Sequence, residues 1–317
     1  MDMMRLPTAT ALSSGMSAPD VPDRAAPASR PRAGRTLAGA VAGAASAVVA
    51  FTVGMGLVWL RQERIVWQPP RVRDADRATP AGAERVDYAA SDGQPLLGYV
   101  GRPLGARAGV LLAFHGNAEL AAWSVPWALE VARRTGYAVV VPEYRGYAGL
   151  PGSPDYPCSR LDARAAYRAA LDLLGAAPDE VALYGHSLGT ALATELADAL
   201  ADEGMPPRAL ALESPFTSAK AMARVVLSEG AERWWRRISR VHFDTEARVA
   251  ALDVPVSVAH GRLDLVVPVR MGRQVHARAR VPGELLEVPD AGHNDVVETA
   301  GERYWGWLGR ALEGGGR

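Results

Sequence analysis

The chain has 317 residues, 49% hydrophobic and 22% charged, which describes a folding protein long enough for one large α/β domain or two smaller ones. Its 35 basic and 35 acidic residues cancel, so no global electrostatic argument favours nucleic acid or an acidic partner. The single cysteine, Cys158, cannot close an intramolecular disulfide and reads as a partly buried structural thiol, and no Cys/His cluster has zinc-like spacing.

Residues 1–36 are rich in Ala, Pro, Ser and Arg without apolar periodicity and read as a disordered tail. Leu37 to Leu60 then runs for 24 residues without a charge. As a helix it reaches about 36 Å, against about 30 Å of bilayer hydrocarbon. Arg35 and Arg61 bracket it, and Trp59 and Trp67 suit an interface. Three readings compete: a membrane anchor, a cleaved signal peptide and a buried soluble helix. Cleavage at the A-x-A-like Ala45-Ser46-Ala47 would leave Val48 to Leu60 unexplained, and the anchor is the reading adopted. Arg24, Arg30, Arg32 and Arg35 before the span balance Arg61, Arg64, Arg71 and Arg73 after it. Charge therefore leaves orientation tied. A short tail before one span is compatible with an outward-facing globular domain, outside the cytoplasm. The Ala- and Arg-rich composition, with Lys220 as its one lysine, suggests a GC-rich bacterial genome and hence a bacterial inner membrane.

Residues 61–83 read as a linker and residues 84–317 as the globular domain. Arg85 to Ala89 and Leu96 to Gly101 form an expected hairpin around Ser91-Asp92-Gly93. Short apolar runs follow at Gly109 to Phe114, Ala138 to Pro142, Val181 to Tyr184, Ala209 to Leu212 and Val254 to Ala259, with a weaker one at Leu285 to Val288. Such runs are typical of strands buried on both faces. Helical patterns lie at Ala121 to Thr135, Leu161 to Leu174, Thr190 to Asp202, Val267 to Ala279 and Ala300 to Leu312. This alternation builds a mostly parallel sheet covered on both sides, with its ligand beyond the carboxyl ends of the strands.

The loops at those ends hold the chemistry. Val181 to Ala191 reads VALYGHSLGTA, a short apolar strand, a Gly185-x-Ser187-x-Gly189 turn and a helix-friendly run. That context raises Ser187 from a chance serine to a nucleophile on a strand-to-helix elbow. Asp264 follows His260-Gly261-Arg262-Leu263, and His293 follows Ala291-Gly292, so the chain order is Ser187, Asp264, His293. Asp253 and Asp290 are rivals for the acid. Upstream, Phe114-His115-Gly116-Asn117 follows an apolar run, where backbone N–H groups can face an oxyanion. Asn117 is the expected donor, with Ala118 as the alternative, and Leu188 is the second donor.

From about Gln62 onward the chain resembles the α/β-hydrolase superfamily, and in detail the Bem46-type membrane-anchored serine hydrolases. The motifs are HGNAE at 115–119, EYRGYAGLPGSP at 143–154, GHSLG at 185–189, and HGRLDLVVP at 260–268 with AGHND. ERIVWQPP at 63–70 is also similar. The chain departs from the family's usual residues at Glu119-Leu120, Glu143 and Arg262, none of which is a triad member. The resemblance implies an α/β-hydrolase fold with a small cap at about 215–252. It also implies hydrolysis of an ester, thioester or amide through an acyl-enzyme, without a metal or organic cofactor. Ser187 would attack, His293 would relay the proton and Asp264 would orient His293. The expected partner is a small-molecule or lipid acyl substrate, and the sequence is silent on oligomeric state. An acyltransferase on the same triad and a non-catalytic binding protein stay open beside the hydrolase. His115 and His186 read as structural. Tyr144-Arg145-Gly146 reads as a buttress, and Trp234-Trp235-Arg236-Arg237 as a partly buried helix with a solvated edge or a membrane contact.

Overall fold

Eight strands form one sheet in the order β1-β2-β4-β3-β5-β6-β7-β8. They are β1 (Glu84–Ala89), β2 (Pro95–Gly101), β3 (Gly109–Phe114), β4 (Tyr137–Pro142), β5 (Val181–His186), β6 (Leu210–Glu213), β7 (Pro255–Gly261) and β8 (Val281–Val288). β2 pairs antiparallel with β1 and with β4, and the remaining pairs are parallel. The computed structural model describes residues 33–226, 233, 235 and 237–314. The expected disordered tail lies outside the described residues, apart from its last four positions.

The chain divides into two units, one ending at Gly54 and one beginning at Met55. In the first, the described residues are the beginning of helix α1 (Ala33–Val66), exposed from Gly39 onward. The stretch Gly39–Val66 is long and apolar enough to cross a membrane by length and composition. In the second unit α1 continues six residues past the expected Leu60. Gln62 is buried there, and its Oε1 accepts the Arg240 N–H at 2.7 Å. Trp67 lies in the core, 5.9 Å from Phe243 between ring centroids. The segment expected to be a linker is thus partly a docked helix end.

Period-two alternation explains why β3 sits at the centre. Val110, Leu112 and Phe114 point into one apolar layer, and Leu111 and Ala113 into the other. The first layer is covered by α3 (Tyr156–Leu174), α4 (Leu188–Asp202) and α7 (Val269–Arg278), the second by α2 (Val125–Thr135) and α9 (Glu302–Leu312). α5 (Ala219–Val226) and α6 (Thr245–Val249) lie in the segment expected to be the cap, and α8 (Val296–Ala300) precedes α9. Strand order reverses at β3, with β4 on one side and β5 on the other. Sheets of this kind leave a crevice at such a point.

Several element ends differ from the periodicity, for local reasons. α3 starts at Tyr156 rather than Leu161, because Asp155 caps it by accepting the Cys158 N–H at 2.7 Å and Pro157 fits the first turn. Burial pushes the Cys158 thiol up to about 11, away from reactivity at neutral pH. Ala121–Ser124 is a 3-10 turn, and α2 begins only at Val125. The last helix is split at Gly301, whose φ of 54° separates α8 from α9. Trp235 is buried and Arg237 exposed, as a helix with a solvated edge would have them; Trp234 and Arg236 lie outside the described residues.

The β4–α3 connection is held by charge. The Arg145 Nε donates to Asp162 Oδ2 at 2.8 Å, and its Nη1 donates to Asp92 Oδ2 at 2.9 Å in the β1–β2 turn. Arg145 and Asp162 are both buried. Arg145→Met is therefore expected to cost about 3–5 kcal/mol, because it leaves a buried carboxylate without its counter-charge. Denaturant titration of the full chain in detergent micelles checks this.

Candidate active site

Gly185 and Gly189 make the turn from β5 into α4 possible. A Cβ on Gly185 would lie 2.3 Å from the Gly189 carbonyl oxygen, and one on Gly189 would lie 2.1 Å from the Phe114 carbonyl oxygen. Only hydrogen fits at either place. Between them Ser187 takes φ 51° and ψ −114°, a conformation that costs a non-glycine residue about 1–3 kcal/mol. Glu213 at the end of β6 holds it, its carbonyl accepting the Ser187 N–H at 3.0 Å. Ala118 (φ 58°) after β3 and Ser214 (φ 51°) after β6 share the positive φ, so backbone strain collects at one edge of the sheet.

At that edge Ser187, His293 and Asp264 form a chain. His293 Nε2 is 2.9 Å from Ser187 Oγ, and its Nδ1 is 2.7 Å from Asp264 Oδ2. Asp264 is buried, and its Oδ1 accepts the N–H groups of Val266 and Val267 at 2.8 and 2.7 Å. Burial alone would raise its pKa. Hydrogen bonds from His260 and His293, with that of the Val267 N–H, hold the carboxyl well below the usual carboxylate range instead. It is therefore ionised whenever the protein is folded at neutral pH. The rival acids lie elsewhere: Asp253 pairs with Arg280 at 2.9 Å and Asp290 is exposed.

His260 is a part of this site that sequence reasoning passed over. Its Nε2 lies 2.8 Å from the Val267 carbonyl and 3.2 Å from Asp264 Oδ2. Two acceptors at one nitrogen place the ring proton on Nε2. Gly272 makes room for the ring, since a Cβ there would sit 2.2 Å from His260 Nδ1. The spacing His260-x-x-x-Asp264 was visible in the sequence, but nothing in it said that a buried imidazole would steady the carboxylate.

Asn117 lies in the loop after β3, and both the oxygen and the nitrogen of its side-chain amide are hydrogen-bonded. Oδ1 accepts from Gln68 N at 2.9 Å, Ala118 N at 3.0 Å and Tyr147 Oη at 2.8 Å, while Nδ2 donates to the Val66 carbonyl at 2.6 Å. The loop is thereby tied to the end of α1. Ala118 N–H is spent on Asn117, whereas the Asn117 and Leu188 N–H groups have no acceptor among the described residues. Tyr144 buttresses the same loop, its hydroxyl donating to the His115 carbonyl at 2.7 Å. His115 is buried, with Nε2 3.1 Å from Glu143 Oε1. Burial disfavours its charged form, but Glu143 outweighs this and raises its pKa.

Comparison with known proteins agrees with this architecture. The alpha/beta hydrolase family matches residues 110–305, and the chain belongs to that family. Uncharacterized protein Rv2307c of Mycobacterium tuberculosis is 33% identical over 260 residues, covering 80% of this chain and 86% of that protein. Lysophosphatidylserine lipase ABHD12 of Danio rerio is 33% identical over 178 residues, covering 53% of this chain and 46% of that protein, so this chain spans under half of its length. Among solved structures, Pyrococcus furiosus esterase Pf2001 superposes with a TM-score of 0.59 at 18% identity, covering 78% of this chain and 98% of that one. A bacterial heroin esterase superposes with a TM-score of 0.58 at 23% identity, covering 74% and 84%. At those identities the likeness is one of fold.

The crowding at the elbow predicts opposite effects for one substitution at two glycines. Gly189→Ala forces backbone apart and is expected to cost about 3 kcal/mol. Gly309→Ala, in α9 with nothing within 4 Å of the added methyl, is expected to stabilise by up to about 1 kcal/mol. Denaturation midpoints of the two variants against the unaltered chain decide it.

Proposed function

We propose that this hydrolase cleaves a carboxylic ester, with a lipid ester as the leading class, through Ser187, His293 and Asp264 and an acyl-enzyme intermediate. The observation that carries the reading is the unbroken chain from Ser187 Oγ to His293 Nε2 at 2.9 Å and from His293 Nδ1 to Asp264 Oδ2 at 2.7 Å. Hydrogen bonds of that length in that order are what activation of a weak serine nucleophile requires.

The steps follow from the geometry. Ser187 Oγ attacks the ester carbonyl carbon while His293 Nε2 takes its proton. Asp264, ionised and accepting from Nδ1, fixes the tautomer that leaves Nε2 free and stabilises the imidazolium that forms. The tetrahedral oxyanion takes hydrogen bonds from the Asn117 and Leu188 N–H groups. Support for these two donors is that neither is used elsewhere among the described residues, while the rival Ala118 N–H bonds to Asn117 Oδ1. One such donor contributes about 100- to 1000-fold to turnover. His293 then returns its proton to the departing alkoxide. Water, deprotonated by the same imidazole, attacks the acyl-enzyme and releases the acid and Ser187. Apart from the substrate and the hydrolytic water, each of these steps uses side chains and backbone of this chain.

A lipid ester is favoured by the lysophosphatidylserine lipase among the relatives. It also suits the apolar stretch Gly39–Val66, which we propose as a single-pass membrane anchor.

Two measurements test the reading on the full chain. In detergent micelles, Ser187→Ala is expected to abolish both fluorophosphonate labelling and hydrolysis of a p-nitrophenyl ester, and Asp264→Asn to lower kcat by about 10⁴-fold through the wrong His293 tautomer. Labelling that persists in Ser187→Ala would sink the triad. In expressing cells the chain is expected to stay in the membrane pellet through alkaline carbonate washing and to leave it only with detergent. Release by carbonate alone would remove the anchor.

A further inference from the structure

The triad leaves unused another imidazole beside it, that of His186, whose side chain is only 13% exposed. His186 ends β5 and immediately precedes Ser187. Its Nδ1 is 3.3 Å from Glu119 Oε1, and its Nε2 is 3.2 Å from the backbone carbonyl oxygen of His293. Both neighbours are acceptors. A neutral imidazole has one N–H and can satisfy only one of them, whereas an imidazolium donates to both. The second carboxylate oxygen of Glu119 accepts the Gly116 N–H at 3.0 Å. A Cβ on Gly116 would lie 2.8 Å from both Glu119 Oε1 and His186 Nδ1, so the backbone of that loop rests directly on the pair.

We infer that Glu119 and His186 are a positioning pair, a carboxylate–imidazolium couple that ties the Asn117 loop, the end of the nucleophile strand and the His293 loop into one unit. The inference rests on the serine-hydrolase reading for its catalytic consequence, though not for the state of the couple itself. Its action is indirect. The couple holds the His293 main chain while the His293 side chain reaches Ser187, and it holds the Gly116 N–H one residue before Asn117.

The surrounding charges favour the couple. His186 shares a cavity of about 360 Å³ with Glu119, Glu130, Glu213, Glu298 and Tyr184, and His115 also lines it. Glu130 is matched by Arg133 and Arg134. The His293 ring is 5.2 Å from that of His186 between centroids, with Asp264 on its far side. Burial disfavours the His186 imidazolium, but the Glu119 hydrogen bond and charge, with Glu213 and the His293 carbonyl, raise its pKa to about 9. Burial likewise opposes ionisation of Glu119, and His186 overcomes it, holding the carboxyl down at about 2. The couple is thus charged across neutral pH. Because the folded pKa of His186 lies above its ordinary value, whatever the couple contributes is fully present below about 6.5 and is lost as pH rises through the folded value.

The test is the pH profile of fluorophosphonate labelling and of ester hydrolysis by the full chain in detergent micelles. The unaltered chain is expected to lose rate on the alkaline side near pH 9. In Glu119→Gln the alkaline fall moves down by at least one pH unit, and kcat drops by up to about 100-fold with KM little changed. Glu119→Asp recovers part of both. An alkaline limb in Glu119→Gln identical to that of the unaltered chain would overturn the proposal. Should that variant fail to fold, NMR of ¹⁵N-histidine in the unaltered chain decides instead. The His186 ring is expected to remain doubly protonated at pH 8, and a ring titrating at or below 6.5 overturns it. Absence of labelling in the unaltered chain counts against the hydrolase reading, and the NMR titration still decides the couple.

Discussion

Where α4 leaves β5, its first turn lies against the end of β3 so closely that a methyl group on Gly189 would meet the Phe114 carbonyl oxygen at 2.1 Å. The contact is backbone on backbone, so neither partner can yield without moving a strand or a helix. The loop after β3 carries Asn117, and the first turn of α4 carries the Leu188 N–H. Their proximity is a consequence of the missing side chain at 189. The same crowding leaves Ser187 no relaxed conformation, and the strand pairing of β5 with β6 offsets that strain through the Glu213 carbonyl.

Around this frame, imidazoles and carboxylates are paired at the strand ends. Asp264 faces His293 and His260, Glu143 faces His115, and Glu119 faces His186. A lone buried carboxylate is costly, and a buried imidazole beside it removes most of that cost while adding direction. The pairs differ in what they hold. Glu143 also accepts the Ala121 and Tyr144 N–H groups, which organises the loops after β3 and β4. Asp264 accepts two N–H groups of its own loop and presents its other oxygen to His293. Glu119 reaches between loops. Electrostatics here serves mainly to fix loops relative to one another, which is what a reaction sensitive to tenths of an ångström needs.

The end of α1 enters this arrangement from outside the sheet. Val66 and Gln68 bond to the Asn117 side chain, Gln62 bonds to Arg240, and Arg240 also pairs with Glu63 at 2.7 Å. The helix end therefore contacts both the loop after β3 and the segment that follows α5. Trp67, which suits a membrane interface by composition, is instead a core residue packed on Phe243. An aromatic beside an apolar span has two destinations, and sequence alone does not choose between them.

Much of the fold was legible in the sequence because strands buried on both faces cannot be polar. The runs at 109–114, 138–142 and 181–184 therefore announced themselves within a residue or two of their observed ends. Helix starts were less legible, since capping depends on one side chain such as Asp155 rather than on a period. The chain order of Ser187, Asp264 and His293, and the glycines at 185 and 189, were set by sequence because each answers to a local backbone requirement. The partners of those residues were not. That Asn117 would spend its side chain on the end of α1 and that Glu119 would reach His186 depend on contacts between segments about 50 to 67 residues apart, and that His260 would steady Asp264, four residues on, depends on the fold burying both. Only the assembled sheet brings such loops together, because local chemistry sets which residues can turn, cap or ionise, and tertiary packing alone sets which of them meet.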